Sequence, residues 1–402
     1  MLEHRPQFFS TFFLPIAEAK IRHGKSRRRH IYEILRYCFW DGYFKRSDYY
    51  LYGFHRTPVV LPERARRFVG YTRSARLLGQ VNRKDSVGRR ILQDKLATEV
   101  VLRAADIPIE PVIAVHRPTL AGCVGQVLGN ATEIAAFLRE WPNYPVFGKP
   151  LNGVFSSGAV SLEQYDKADD DVVTTRGDRL KVNELAKEIE QGYPEGYIFQ
   201  RRIRQHPDLI ALSGPTVSSI RVLTVLKETG PEILYAIIKV ADPKSVADNT
   251  WRPGLAACLV NPETGQVVKA STRRDGVRED VSEHPTLSVP LIGMEVPLWN
   301  DVRRVALAAS KVFADHPIVG WDIAVGQTGA LIIEGNEEPG PSLYQAATDQ
   351  GFLSTEIETL LSDMTKDIAT RKQRSRTATA HPDRLKRLRA GVRKFDIWNL
   401  LR

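Results

Sequence analysis

Two short apolar runs joined by a glycine-bearing turn constrain this chain more than any other segment: Gly320-Trp321-Asp322-Ile323-Ala324-Val325, the turn Gln327 to Gly329, and Ala330-Leu331-Ile332-Ile333-Glu334-Gly335-Asn336. The pattern predicts a β-hairpin. Because side chains alternate with a period of two along a strand, Glu334 and Asn336 fall on one face, and Asp322 begins the opposing strand two residues after a glycine. Three hard oxygen donors with no His or Cys among them suit Mg²⁺ rather than zinc. The plainer alternative is that Asp and Glu end their strands at a solvated edge and Asn336 makes a turn.

Further strands supply cations to weigh against it. Val146-Phe147-Gly148-Lys149-Pro150 is a short β run ended by proline, and Leu151 to Val160 reads as a Gly/Ser loop returning to a strand. A strand lysine beside backbone amides freed by small residues is an arrangement that suits polyphosphate. The segment is not a Walker A loop, since GxxxxGK[ST] is absent, and no GxGxxG opens a helix. Tyr197-Ile198-Phe199-Gln200 reads as a buried strand leading into Arg201-Arg202-Ile203 and Gln205-His206-Pro207. Ser218 to Leu226 alternates polar and apolar residues and sets Ser219 and Arg221 on one face. Ile233–Val240 carries Lys239 near its end, ahead of Asp248-Asn249 and Gly254. With Lys149, Arg221 and Lys239 available as phosphate partners, a metal–nucleotide site is the favoured reading of the hairpin.

Around these strands lie helical patterns at Asp85–Ala105 and Ala131–Arg139 and a strand at Pro111–Val115, so the body mixes helix and sheet. From about Lys20 to Tyr52, Ile31, Leu35, Phe39 and Tyr43 recur at helical spacing among basic residues; the stripe is expected to pack inside a helical domain. The net charge of +10 is unevenly spread. Residues 1–103 hold 22 Lys and Arg against 9 Asp and Glu, residues 371–402 hold 11 against 2, and the middle is acidic, with 24 basic and 36 acidic residues. Basic flanks suit an acidic partner, an anionic membrane or nucleic acid, but the absence of an RNP motif, a KH-type GXXG loop or a zinc finger argues against nucleic acid. Three widely spaced cysteines, Cys38, Cys123 and Cys258, form neither a disulfide framework nor a zinc knuckle, which fits a reducing cytoplasm. The opening residues match a secretory signal poorly, and no apolar run approaches the ~18 residues of a membrane span. A cytoplasmic protein, at most peripheral to the inner face of a membrane, is expected.

In order and spacing, these segments resemble the ATP-grasp superfamily, and more narrowly its alpha-L-glutamate ligase-related or sugar-transfer-associated members. The resemblance runs from about Asp85 to Phe352. It comprises Gly-Lys-Pro with its Gly/Ser loop, Phe-Gln-x-x-Ile with His-Pro, Ser-Ser-Ile-Arg-Val-Leu-Thr, Val-Ala-Asp-Asn, and Gly-Trp-Asp followed by Ile-Glu-Gly-Asn. It implies an α+β ATP-grasp fold in which two α+β subdomains grip ATP. The helical N-terminal region would span 1–84, the small subdomain with phosphate loop and hinge 85–204, the large subdomain with the metal site 205–370, and a basic helical tail 371–402. It further implies that Lys149 binds the α/β-phosphates under a lid of Gly153, Ser156, Ser157 and Gly158, and that Gln200, Arg201, Arg202 and Ile203 form the adenine hinge. Arg221 and Lys239 take the place of cationic contacts to the transferred phosphoryl group, and Asp322, Glu334 and Asn336 that of ligands to Mg²⁺, expected as a pair of ions, with Mn²⁺ as a substitute. The sequence departs from the family pattern at the hinge, where Gln200 stands in place of the usual Glu, and no clear acidic contact to ribose is present.

The activity so implied is an ATP- and Mg²⁺-dependent, ADP-forming carboxylate–amine ligase acting through an acyl phosphate, in cell-envelope polysaccharide or peptide modification. The partners would be ATP and an unidentified carboxylate and amine. Alternatives are an ATP-grasp phosphotransferase and a non-catalytic nucleotide-binding scaffold of a polysaccharide assembly system. Asn249 and Arg252, in the loop around Trp251-Arg252-Pro253-Gly254, are the candidate acceptor contacts, an arginine being able to clamp a carboxylate bidentately. The final stretch, Asp383 to Arg402, has Leu385, Leu388, Val392 and Phe395 near helical spacing among many basic residues. Its two readings are docking back on the protein's own core, the favoured one, and peripheral contact with an anionic membrane.

Overall fold

The structure, a computed structural model, describes residues 24–117, 125–152, 158–246, 248, 254–274 and 277–379. Gly153, Ser156, Ser157, Asn249, Arg252, Cys123 and the tail from 380 onward lie outside the described residues. The chain forms two compact units, 1–354 and 355–402.

The first unit holds two seven-stranded sheets. The smaller is built from β1 (Val112–His116), β2 (Gln126–Leu128), β3 (Val146–Pro150), β4 (Val160–Asp166), β5 (Asp171–Thr174), β6 (Arg179–Lys181) and β7 (Tyr197–Arg201), in the order β2-β1-β7-β3-β4-β5-β6. All neighbours are antiparallel except β1 and β2. Two of the unit's helices, Ala131–Leu138 and Val182–Gly192, supply Ile134, Phe137, Leu138, Leu185 and Ile189 to the core of this sheet, against Val146, Leu162, Tyr197 and Phe199.

The larger sheet is antiparallel throughout. Its strands are β8 (Ile220–Lys227), β9 (Gly230–Val240), β10 (Ala256–Val260), β11 (Val267–Arg274), β12 (Val277–Asp280), β13 (Ile318–Val325) and β14 (Ala330–Asn336), ordered β12-β11-β10-β9-β8-β13-β14. One face, carrying Val222, Ala236, Ile238, Ala256, Cys258, Val319 and Trp321, packs on the helix Trp299–Val312 through Val302, Val305, Ala306 and Ala309. All eight residues of β13 are buried. The expected hairpin at 320–336 forms, with Asp322 opposite Glu334 and a bulge after Asp322. The helical pattern at 85–105 is two helices, Val87–Gln93 and Lys95–Ala104, because the Asp94 carboxylate accepts the Leu96 and Ala97 amides (2.9 and 3.1 Å) and so starts a new helix.

Ahead of the sheets, residues 27–78 form a helical region whose core is aromatic: Tyr37, Phe44, Tyr49, Tyr52, Phe54 and Phe68 are at most 4% exposed. We call its first helix α1, Arg27–Ile34, continued by a π-helix over Leu35–Trp40. The expected packed stripe is reversed here. Ile31, Leu35 and Phe39 face outward, and the buried side is His30, Glu33, Ile34 and Tyr37. The cause is Glu33, whose carboxylate takes bonds from Lys25 Nζ, Arg29 Nε (2.9 Å), Tyr49 Oη (2.8 Å) and the Val60 amide (2.9 Å). A buried carboxylate held by four donors is affordable; an unpaired one is not.

The second unit is described over one helix, Thr355–Thr379. Among the described residues no helix is long and apolar enough to cross a membrane.

Candidate functional site

Strand register builds the site. The β8/β13 pairing sets Arg221 opposite Asp322, and β13/β14 sets Asp322 opposite Glu334 and Gly320 opposite Asn336. Residues directly opposite in an antiparallel ladder project to the same face. Arg221 also faces Ile237 on β9, two residues from Lys239, so Arg221, Lys239, Asp322, Glu334 and Asn336 share the sheet face that α-helix Trp299–Val312 does not cover.

There the charges interlock. Asp322, 5% exposed, receives Arg221 Nε on Oδ1 at 2.5 Å and Arg221 Nη2 on Oδ2 at 2.9 Å. Lys239 Nζ lies 3.4 Å from the same Oδ2 and 3.3 Å from Oδ2 of Asp248, which also accepts the Ser219 amide at 2.8 Å. Burial alone would raise the Asp322 carboxyl, but Arg221 and then Lys239 outweigh it and hold the group far below the usual carboxylate range. Burial likewise works against the Lys239 ammonium, and Asp248 and Asp322 overcome it, so its pKa is raised. Gly320 makes the bidentate pair sterically possible: a β-carbon there would meet Pro339 Cβ at 2.8 Å and Arg221 Cδ at 3.2 Å. Trp321 turns to the other face, where Nε1 donates to Thr224 Oγ1 (3.0 Å).

Glu334 and Asn336 are half-buried. Asn336 Nδ2 donates to Gly320 O (3.1 Å), which orients the amide and leaves its carbonyl oxygen as an acceptor. Among the described residues no group of three or more His, Cys, Asp and Glu side chains converges. Two carboxylates and one amide oxygen nevertheless fit Mg²⁺, which is usually held by one or two carboxylates together with substrate phosphates and water rather than by an all-protein cage. One orphaned hydroxyl on this face, Tyr235 Oη, is buried without a hydrogen bond, as expected of a surface shaped for a polar ligand.

Lys149, on β3 of the smaller sheet, belongs to the same electrostatic neighbourhood. Burial lowers its ammonium to about 8, opposed by the charges of Glu334, Asp322 and Glu99 and reinforced by Lys95. Lys95 Nζ donates to Leu151 O (2.7 Å), which places a second cation where the Gly/Ser segment begins. Gly158 ends that segment with φ +80 and with Tyr193 Oη where a β-carbon would sit; its carbonyl accepts Tyr197 Oη at 2.8 Å.

The expected hinge is more committed than its sequence suggests. Gln200 and Arg201 lie inside β7 between β1 and β3, Gln200 Nε2 donates to Glu110 O (2.6 Å), and the Arg202 amide donates to Pro145 O (3.0 Å). Arg202 pairs through its side chain with Glu163. Ile203 lies two residues past the end of the strand. Sequence reasoning missed Asp248 as the second partner of Lys239, as well as Lys95, Tyr235 and Glu99. Asp248 itself was visible as part of Val-Ala-Asp-Asn, but not its pairing with Lys239. A small cavity also opens on the shared face, over Ala257 and Ser271 and walled by Arg273, Arg278, Ser342 and Leu51. Lys239, Ala257 and Ser271 are cross-strand neighbours in one row of the sheet.

A sequence profile of a family described as sugar-transfer associated ATP-grasp matches residues 72–359. No curated protein sequence matches significantly. Similar solved structures include D-alanine–D-alanine ligase from Coxiella burnetii, with 13% identity, a TM-score of 0.42, and 74% of this chain and 63% of that one covered. Another is D-alanine–D-alanine ligase from Bacillus anthracis complexed with ATP, with 14% identity, a TM-score of 0.37 and coverage of 72% and 70%. A third is L-amino acid ligase from Bacillus licheniformis, with 11% identity, a TM-score of 0.34 and coverage of 64% and 43%. The chain thus spans less than two thirds of the Coxiella burnetii and Bacillus licheniformis proteins.

Proposed function

We propose, from the premise that this chain belongs to the sugar-transfer associated ATP-grasp family, that it binds ATP with Mg²⁺ over the face of the larger sheet opposite the helix Trp299–Val312 and joins a carboxylate to an amine. The observation that carries this reading is the interlocked quartet Arg221, Asp322, Lys239 and Asp248 beside the half-buried Glu334, with Lys149 in the field of both Glu334 and Asp322.

Phosphoryl transfer needs charge neutralisation and alignment more than a protein nucleophile. Bound Mg²⁺ supplies Lewis-acid polarisation of phosphate oxygens, and Glu334, Asn336 and the remaining lone pair of Asp322 are the residues that would hold it. Arg221 is locked in place by two bonds to Asp322, so its remaining donors meet a phosphoryl group without reorganising. Lys239, held by two carboxylates, keeps its charge at neutral pH and adds a second fixed cation. Lys149 neutralises phosphate from the opposite sheet, with Gly153, Ser156, Ser157 and Gly158 covering it. Gln200 to Ile203 remain the place for the adenine, with Ile203 the residue nearest to uncommitted backbone. The substrate carboxylate would take the phosphoryl group and an amine would then displace phosphate. Either substrate can enter by the cavity over Ala257 and Ser271, where Ser342 supplies a hydroxyl and Arg273 a cation; Asn249 and Arg252 stay the acceptor contacts proposed from sequence. The envelope role, the number of ions, replacement by Mn²⁺ and location at the inner face of the membrane belong to this proposal as well.

The test is ADP release from MgATP in the presence of candidate acids and hydroxylamine. A hydroxamate formed together with ADP supports the acyl phosphate. AMP and pyrophosphate contradict it, and a stable phosphorylated product without amide favours the phosphotransferase. Tight nucleotide binding with no turnover for any acid favours the scaffold.

A further inference from the structure

We propose that the outward face of α1 and its π-helical continuation is a membrane-docking surface that lays Ile31, Leu35, Phe39 and Trp40 into the interface of an anionic lipid bilayer. This goes beyond the ligase reading and does not depend on it.

The exposure is large and ordered by helix geometry. Ile31 and Leu35 are each 49% exposed, Phe39 70% and Trp40 79%, with Tyr32 at 40% beside them. Ile31, Leu35 and Phe39 recur every four residues and Trp40 lies five after Leu35, which keeps them on one side and matches the π segment, in which the Asp41 amide bonds to Arg36 O at 2.7 Å. Single exposed apolar residues need no explanation, but a contiguous stripe of this kind marks an interaction site.

The stripe is presented by a fixed helix, not a fraying one. On its inner side Glu33 is bound by four donors, and Tyr37 Oη donates to Val60 O at 2.8 Å. Those bonds also hold the Val59–Leu61 segment, whose Val59 and Leu61 are themselves 48% and 59% exposed. The apolar surface therefore extends from the helix onto the strap that braces it.

Charge selects the occupant. Residues 24–46 contain seven Lys and Arg against two acidic residues, and setting aside the buried Lys25–Glu33 pair leaves six basic residues against Asp41. Arg27 and Arg28 are exposed at the start of the helix and Arg36 flanks the stripe. Basic residues beside an apolar face ending in Phe and Trp form the pattern of a helix lying flat in an anionic interface, with tryptophan at headgroup level. Each cation near such a surface is worth about fivefold in partition.

Full-length protein is sedimented with vesicles of phosphatidylcholine containing about 30% phosphatidylglycerol and with phosphatidylcholine alone. Binding to the anionic vesicles, weak binding to the neutral ones, and a loss of about tenfold or more in F39S/W40S with an unchanged melting temperature are expected. W40F should keep most of the binding while losing the vesicle-induced blue shift of tryptophan emission. If F39S/W40S melts lower than the parent, R27Q/R28Q, altered only at exposed side chains, decides by its own loss of anionic-vesicle binding. Parent-like sedimentation of F39S/W40S overturns the proposal and moves any lipid contact elsewhere in the chain. So does a parent protein that ignores anionic vesicles but self-associates with rising concentration in a manner that F39S/W40S abolishes, since the face would then belong to a second copy of the chain.

Discussion

At the scale of single residues, the carboxylates of the hairpin divide into two kinds. Asp322 is a buried counter-ion with Arg221 and Lys239 on its oxygens, whereas Glu334 is half-buried and has no ion pair among the described residues. Removing one partner of a buried ion pair leaves an uncompensated charge and costs about 3–5 kcal/mol. Asp322→Ala is therefore expected to destabilise the first unit by that amount, read as a lowered denaturant midpoint, and to lose nucleotide partly for that reason. Glu334→Gln should leave the midpoint within about 0.5 kcal/mol of the parent while abolishing the Mg²⁺-dependent part of ATP binding in calorimetry. Parent-like MgATP affinity in Glu334→Gln would remove Glu334 from the site. Lys149 gives a second residue-level expectation with a sign. Burial brings its pKa down to about 8 from the ordinary lysine value, so the unfolded chain binds more protons between these two values. Stability should rise with pH through that window, and the charged form is the disfavoured one in the empty site. Phosphate favours the ammonium, so ATP binding near pH 8.5, a value just above that lowered pKa, is expected to take up a fraction of a proton, measured as the dependence of the binding enthalpy on buffer ionisation. Lys149→Arg, charged throughout, should lose this uptake while keeping nucleotide affinity; uptake that persists in the variant would assign it to another group.

At the scale of elements, one buried amide fastens the helical lead-in to the segment after the hairpin. Gln345, 0% exposed on the helix Ser342–Thr348, accepts the Val69 and Phe352 amides (2.8 and 3.1 Å) and donates to Val69 O (3.0 Å). Gln345→Leu leaves the buried Val69 and Phe352 amides without partners at about 1–3 kcal/mol each, while Val69 O keeps the Tyr52 hydroxyl (3.2 Å), so a loss of roughly 2 kcal/mol or more is expected. Hydrogen exchange should show it as faster exchange at Val69 and Phe352 together, and a variant as protected as the parent at both would mean that water takes the place of the amide. The same elements show which parts of the fold were legible. The hairpin was, because alternation, glycine punctuation and carboxylates at a two-residue spacing are all local signals. The break at Asp94 was not, because a capping aspartate looks like any helix-surface acid until its amide partners are seen. The orientation of α1 was read backwards for a physical reason: burying charge is normally unfavourable, so a stripe of Ile, Leu and Phe seemed the inner face. The Lys25–Glu33 pair inverts that balance, and its completion depends on Tyr49 and Val60, far along the chain. The pairing of Asp248 with Lys239 escaped notice similarly, since it joins a loop to a strand end with no sequence period relating them.

At the scale of the whole first unit, the cations and carboxylates of the candidate site are shared between two sheets that the backbone joins sparingly. The connection from β7 to β8 is stitched to the β13–β14 turn, with the His206 amide on Val325 O (2.9 Å) and the Gln327 amide on Arg204 O (3.2 Å), and the Ile332 amide reaches Pro108 O (2.8 Å). Lys149 stands on the smaller sheet, while Arg221, Lys239, Asp322 and Glu334 stand on the larger. A polyphosphate held at both ends would add a link that the empty protein makes only through the electrostatic field. MgATP should therefore stabilise the two sheets jointly: at a hundredfold excess over its dissociation constant, linkage contributes about 2.7 kcal/mol. Hydrogen exchange with and without MgATP is expected to show added protection in β3 and in β14 at the same nucleotide concentration. Lys149→Met and Glu334→Gln, one on each sheet, should each remove the added protection from both strands, because a ligand that bridges loses its grip on one side when the other is gone. Protection confined to β14 in the parent, or surviving there unchanged in Lys149→Met, would place the nucleotide on the larger sheet alone and exclude the two-sheet grip.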